Sequence, residues 1–243
     1  MNKKLAAIVF CGTIIHAHAA FPHGAHIKKA DIKKGAAEIH NITVYSTDDD
    51  EMDSLGNKLE LSYGFTNNLK LEISTTAEDH EMEKPDYLSG VGIAAQIGLA
   101  DEGEYIPQTS VYVSYDMDET HMNEADKFAV MGIFGKKIAR FDNTLNVQLA
   151  HETGNMAEGG LGLNMAAQSI YEIQHHLGIG LEYFGEFGQA DDMQEFDMQG
   201  HQLGPVVLFA PFDNAHASVG YLFGLSEHAP DGTAKVELGY EFN

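Results

Sequence analysis

The chain lacks tryptophan, has one cysteine in 243 residues, and carries 14 lysines and arginines against 37 aspartates and glutamates. Each shortage excludes something. The lone Cys11 sits in a leader-like N-terminus, so the mature chain has no disulfide framework to hold it. The shortage of bases leaves a formal net charge of −23. Nucleic acid needs a basic footprint and is excluded as a partner; so is simple attraction to an anionic lipid surface. Beyond the leader no apolar run reaches the ~20 residues of a membrane helix. The missing tryptophan removes one of the two residues typical of membrane–water interfaces, leaving tyrosine.

The N-terminus has Lys3 and Lys4, an apolar run from Leu5 to Ile15, and Ala17-His18-Ala19. A basic start, a short apolar centre and an A-x-A site read as a secretory signal peptide over residues 1–19, cleaved after Ala19. Phe10 before Cys11 is too large for a lipoprotein site. Residues 20–35 form a lysine-rich segment, with Lys28, Lys29, Lys33 and Lys34, readable as a periplasmic tail or as a plug that enters whatever follows. Export and the absence of cysteine point to the periplasm or outer membrane of a Gram-negative bacterium.

Residues 36–243 read as strands. Ala234, Val236, Leu238, Tyr240 and Phe242 alternate with Lys235, Glu237, Gly239 and Glu241, a period of two that only an extended strand puts on opposite faces. The pattern recurs. Leu59, Leu61, Tyr63 and Phe65 oppose Lys58, Glu60, Ser62 and Gly64; Val91, Ile93, Ala95, Ile97 and Leu99 oppose Gly90, Gly92, Ala94, Gln96 and Gly98. Twelve such runs are expected, near 36–46, 58–65, 69–76, 88–99, 108–117, 127–137, 144–152, 161–173, 177–188, 201–209, 215–225 and 233–242. The first and sixth leave open which face is which.

Short connections (66–68, 139–143, 174–176, 211–214, with 100–107 somewhat longer) alternate with six acidic ones. The acidic connections hold 21 acidic residues and one lysine, Lys84. Short turns at one end and long loops at the other, an even strand number and both termini on one side describe an up-and-down antiparallel transmembrane β-barrel. The competing fold is a soluble sandwich or lipocalin-like barrel, in which the apolar face turns inward. Against it, the opposite faces are rich in glycine and alanine, and aromatics gather near run ends. Tyr63, Phe65, Tyr115, Tyr183, Phe209, Tyr240 and Phe242 are assigned to the two membrane interfaces.

The hairpin Leu61-Ser-Tyr-Gly-Phe-Thr-Asn-Asn-Leu-Lys-Leu-Glu72, the stretch Phe128–Glu152 and Leu177–Gly188 resemble elements of small bacterial outer-membrane barrels. They are similar to those of a group of transporters associated with phenol-degradation meta-pathways. The resemblance implies a barrel and passage of small molecules, and supplies no substrate. The chain departs from that pattern at its end, where Asn243 follows Phe242.

A twelve-stranded barrel lies between filled eight-stranded barrels and open sixteen-stranded ones. Glu60, Lys70, Glu72, Gln96, Asn146, Gln148, Gln168, Glu182, Glu186, Lys235, Glu237 and Glu241 are expected to line the lumen. Acids outnumber lysines there, which favours cations in an open, porin-like channel; equally, cross-strand pairs would close it. A second function class is a non-conducting surface barrel. Seven of the ten methionines fall in or beside the outer loops, among histidines. His80, Met82, His121, Met122, His151 and Met156 offer thioether and imidazole donors suited to copper, and the acids suit harder divalent ions, including those that bridge lipopolysaccharide. Otherwise no cofactor is indicated. Other expected partners are the bilayer, small solutes and the barrel assembly machinery. An enzyme is not expected: His216-Ala-Ser218 matches the His-x-Ser of the outer-membrane phospholipase A, but Val219-Gly220 replaces the Asn-Gly that follows there.

Overall fold

The computed structural model describes residues 26–48, 53–79, 89–118, 125–154, 157 and 159–242. The leader, and His80, Met82, His121, Met122 and Met156, lie outside these residues.

Twelve long strands form one closed antiparallel sheet. They are β1 Ala37–Thr47, β2 Ser54–Thr66, β3 Leu69–Asp79, β4 Gly90–Ala100, β5 Gln108–Asp118, β6 Asp126–Ile138, β7 Phe141–Thr153, β8 Gly162–Gln174, β9 Leu177–Gln189, β10 Gly200–Phe212, β11 Ala215–Gly224 and β12 Gly232–Phe242. Each pairs with its sequence neighbours, and β12 returns to β1 in register from Ala37↔Phe242 to Thr47↔Gly232. The ring has no free edge, so every strand's backbone groups find partners within the sheet. The β9–β10 loop adds a two-residue ladder, Asp192–Met193, and a 3₁₀ turn, Phe196–Met198.

The strands outrun their sequence signal. β2 starts at Ser54, β7 at Phe141, and β10 runs on to Phe212. Four turns shrink to two residues: 67–68, 139–140, 175–176 and 213–214. Polar residues such as Asn57 or Asp142 hide these extensions from a hydrophobic pattern, but a paired neighbour continues the ladder whatever their polarity. Bulges near Thr66, Ala100, Gln174 and Phe212 sit beside the short turns, where a rim strand ends its pairing.

Burial is inverted relative to a soluble protein. Val236, Leu238, Tyr240 and Phe242 are 38–54% exposed, while Lys235 beside Val236 is 1% exposed. The same holds for Leu61, Tyr63 and Phe65 against Glu60 and Ser62, and for Ile93 and Ile97 against Gln96. A continuous apolar exterior belongs against hydrocarbon, not water. Strands of 10–13 residues are long enough to cross it. No helix among the described residues is long and apolar enough to do so.

Candidate functional site

The lumen is occupied by the described part of the chain's own N-terminal segment, residues 26–35, which lies inside the barrel as the plug of the two sequence readings would. It leaves the barrel wall at Ala36. Gly35, at φ +84°, donates its N–H to Gly64 O at 2.7 Å, and Gly64 donates back to Ala36 O at 2.9 Å. A Cβ on Gly64 would overlap the Lys33 carbonyl, so only glycine lets the segment turn in this close to β2.

Further in, Lys28 is 7% exposed and its ammonium donates to Glu60 Oε2 at 2.7 Å and to both Glu72 oxygens at 2.8 Å. Tyr112 OH adds a 2.6 Å hydrogen bond to Glu72, and its ring lies under the same ammonium at 5.0 Å. The Lys28 backbone is held from the far wall: its N–H reaches Asn146 Oδ1 at 2.9 Å, and Asn146 Nδ2 reaches its carbonyl at 3.0 Å. Lys29 bonds Thr144 at 2.9 Å and Gln168 at 3.0 Å, while Gln96 holds its carbonyl at 2.9 Å. The segment thus bridges β2, β3 and β4 to β7 and β8. At the mouth, Lys33 bonds Glu241 at 2.6 Å, and that carboxylate raises the lysine above its ordinary pKa.

Apolar contacts complete the fit. Ile27 packs with Ile42, Val44, Ala166, Phe184 and Leu222; Ala30 packs with Tyr112 and Ile133. These inward apolar residues resolve the ambiguous first and sixth runs: Ile42 and Val44 of β1, and Ile133 of β6, face the plug.

All twelve residues expected to line the lumen lie on the inward parity of their strands. Glu60, Glu72, Gln96, Asn146, Gln168, Glu182 and Lys235 are buried. Many are already paired: Lys235 with Glu182 at 2.6 Å, Gln168 with Glu182 at 2.6 Å, Lys70 with Glu38 at 3.6 Å, and Asn164 with Gln148 at 3.2 Å. The interface aromatics lie on the outward parity. Tyr63–Phe65 and Tyr240–Phe242 form tilted or edge-on pairs at 4.9 and 4.7 Å toward the short-turn end, which also carries Phe209. Tyr115 and Tyr183 sit toward the loop end, with their hydroxyls on Asp126 at 2.6 Å and His201 at 2.7 Å. In the 101–107 turn, the Lys137 N–H and the Lys136 ammonium hold the Glu102 carboxyl below its usual pKa.

Of the six histidines and methionines expected to bind metal near the outer loops, His151 lies among the described residues, at the end of β7, and its Nδ1 lies 2.7 Å from Gly160 O. His216 and Ser218 both face inward, but among the described residues Ser218 Oγ has no hydrogen-bond partner, and the His216 ring lies beside His40 at 4.8 Å. Sequence reasoning named His216 and placed it inward, but missed Glu38, His40, the meeting of His40 with His216 and the apolar seat of the N-terminal segment. The signal was available in β1, which places apolar residues on both faces.

Solved structures share this architecture. An outer membrane channel from Pseudomonas putida F1 matches with a TM-score of 0.65 and 12% identity, over 90% of this chain and 98% of that one. The shared fold is that of outer-membrane β-barrels. The KdgM porin matches with a TM-score of 0.53 and 11% identity over 85% of this chain and 99% of its own. The same porin in complex with disordered oligogalacturonate gives 0.54 and 10%, over 86% and 98%. No family model and no curated protein matches the sequence. The likeness carries the channel-type fold and does not extend to the phenol-degradation grouping.

Proposed function

We propose that the protein is an outer-membrane channel for small solutes, gated by residues 26–35 and preferring cations. The observation that carries this reading is Lys28, which joins carboxylates on β2 and β3 while Asn146 holds its backbone from across the barrel. Beyond the backbone bond from Gly35 to Gly64 the segment is held to the wall by side chains, so it leaves the lumen without breaking the sheet, whose ladder closes without it. The fold it shares with known channels supports passage through that lumen. Cation preference follows from the acidic loops at the mouth, with inward Glu186, Glu237 and Glu241 adding to it. Glu60, Glu72 and Glu182 contribute less than their sequence positions suggest, because Lys28 and Lys235 neutralise them. In keeping with this reading, residues 1–19 direct export, the barrel assembly machinery inserts the mature chain, and the acidic loops meet lipopolysaccharide through divalent ions.

Planar-bilayer recordings test it. Wild type should conduct weakly, and Lys28→Met with Lys29→Met should enlarge the unit conductance. Reversal potentials in a KCl gradient should favour K⁺, and Glu186→Gln should reduce that preference. Silence of wild type and variant alike would favour the second reading, a non-conducting barrel with cation-binding loops. The buried ion pairs that fasten the plug are its support.

A further inference from the structure

Three residues distant in the chain meet beside the plug. His26 comes from the N-terminal segment, His40 from β1 and Glu237 from β12. One ligand atom from each lies within 4.8 Å of the others. Glu237 Oε1 is 3.5 Å from His26 Nδ1 and 3.7 Å from His40 Nδ1. Both of those ring nitrogens are buried and, among the described residues, have no hydrogen-bond partner, an arrangement that costs free energy unless something else occupies the space between them.

The surroundings match a metal site. Four ligands at zinc's bond lengths of 2.0–2.1 Å stand about 3.3–3.4 Å apart in a tetrahedron, so the two measured edges close by only a few tenths of an ångström. The other nitrogen of His40, Nε2, faces Glu38 at 3.7 Å, the carboxylate–histidine–metal relation that fixes a ligating ring. Glu60 Oε2 lies 3.6 Å from His26. The Lys28 ammonium lies 2.7 Å from the same Glu60 oxygen and also bonds Glu72. Space for the imidazoles comes from Gly239, which pairs with His40 on one side and His216 on the other. A Cβ there would overlap the His216 ring. Two imidazoles and one carboxylate, with no sulfur, suit borderline divalent transition metals over calcium or magnesium.

We propose that His26, His40 and Glu237 bind one divalent transition-metal ion of the zinc class, and that the bound ion latches the plug to the seam where the first and last strands meet. The ion joins plug to wall at the one pairing that closes the ring. The site differs in place and donor set from the methionine-bearing loops, and it stands whether or not the lumen conducts.

The test is a Zn²⁺ titration by calorimetry of metal-stripped full-length mature protein in detergent micelles, with Mg²⁺ for comparison. One Zn²⁺ per chain is expected, with no heat from Mg²⁺. Loss of an outer-shell partner alone weakens metal sites by about 10–100-fold, so His26→Ala, His40→Ala and Glu237→Gln should each weaken binding at least tenfold. His26→Ala leaves the wall untouched, and heat-shifted gel migration reports that each variant is folded. Replacing His175 and His176, which form an exposed cluster with Asp213 on the short turns, should change nothing. The latch itself is read from Ala30→Cys, the sole cysteine of the mature chain: Zn²⁺ should slow its maleimide labelling, and adding His40→Ala should abolish the effect. No zinc binding, binding that survives all three ligand variants, or binding lost only with His175 and His176 would overturn the proposal. Unchanged labelling would overturn the latch.

Discussion

β1 and β12 pair along their whole length, yet one announces itself in sequence and the other does not. On β12 every outward residue from Val236 to Phe242 is apolar and exposed, and the inward residues are Lys235, Glu237, Gly239 and Glu241. On β1 the apolar residues Ile42 and Val44 point inward against Ile27. Outward lie Asn41 and Thr43, which hydrogen-bond with Asn57 of β2. The difference teaches that a strand's alternation reports its two environments together. β12 separates lipid from a polar lumen. β1 separates lipid from a plug that is itself partly apolar, so its two faces look alike.

The contrast can be broken most strongly at the plug. Lys28→Met leaves Glu60 and Glu72 buried without their cation. Removing one partner of such a cluster should cost about 3–5 kcal/mol, read as a lower urea midpoint in detergent together with larger conductance. At the lipid face, Val236→Arg should cost about 2–4 kcal/mol if Val236 lies near the bilayer midplane, measured by reversible unfolding in lipid vesicles; a cost near zero would remove it from the hydrocarbon. Gly64→Ala forces the Lys33 carbonyl aside and should cost about 1–3 kcal/mol. Conductance should rise with it while heat-shifted migration persists, since β2 stays paired. The smallest effect is expected at Thr43→Val. It removes one acceptor of Asn57, which keeps Ile42 O at 3.2 Å, and adds apolar surface toward lipid. Stability should change by no more than about 0.5 kcal/mol, and a large loss would mean that the polar patch organises the seam.

Much of the barrel was legible because lipid imposes a strict period. Leu61, Tyr63, Phe65 and their counterparts had to alternate, and short turns had to alternate with long loops. The strand ends were less legible, since Asn57 and Asp142 belong to paired strands without contributing to any apolar face. Lumen residues were legible by parity alone; their partners were not. Glu60 reads the same whether it faces water, Lys58 at 3.2 Å or Lys28 at 2.7 Å. His40 was overlooked because a histidine carries no periodic signal, and its meeting with His216 needs three adjacent strands in register.

Sequence alone determined that this chain forms an even-stranded membrane barrel with acidic loops and an inward polar face, because hydrocarbon sorts residues one by one. Only the tertiary structure decided that residues 26–35 fill that barrel and that His26 meets His40 and Glu237. Those facts rest on contacts between residues far apart in the chain, where charge, shape and register must agree at once and no local pattern records them.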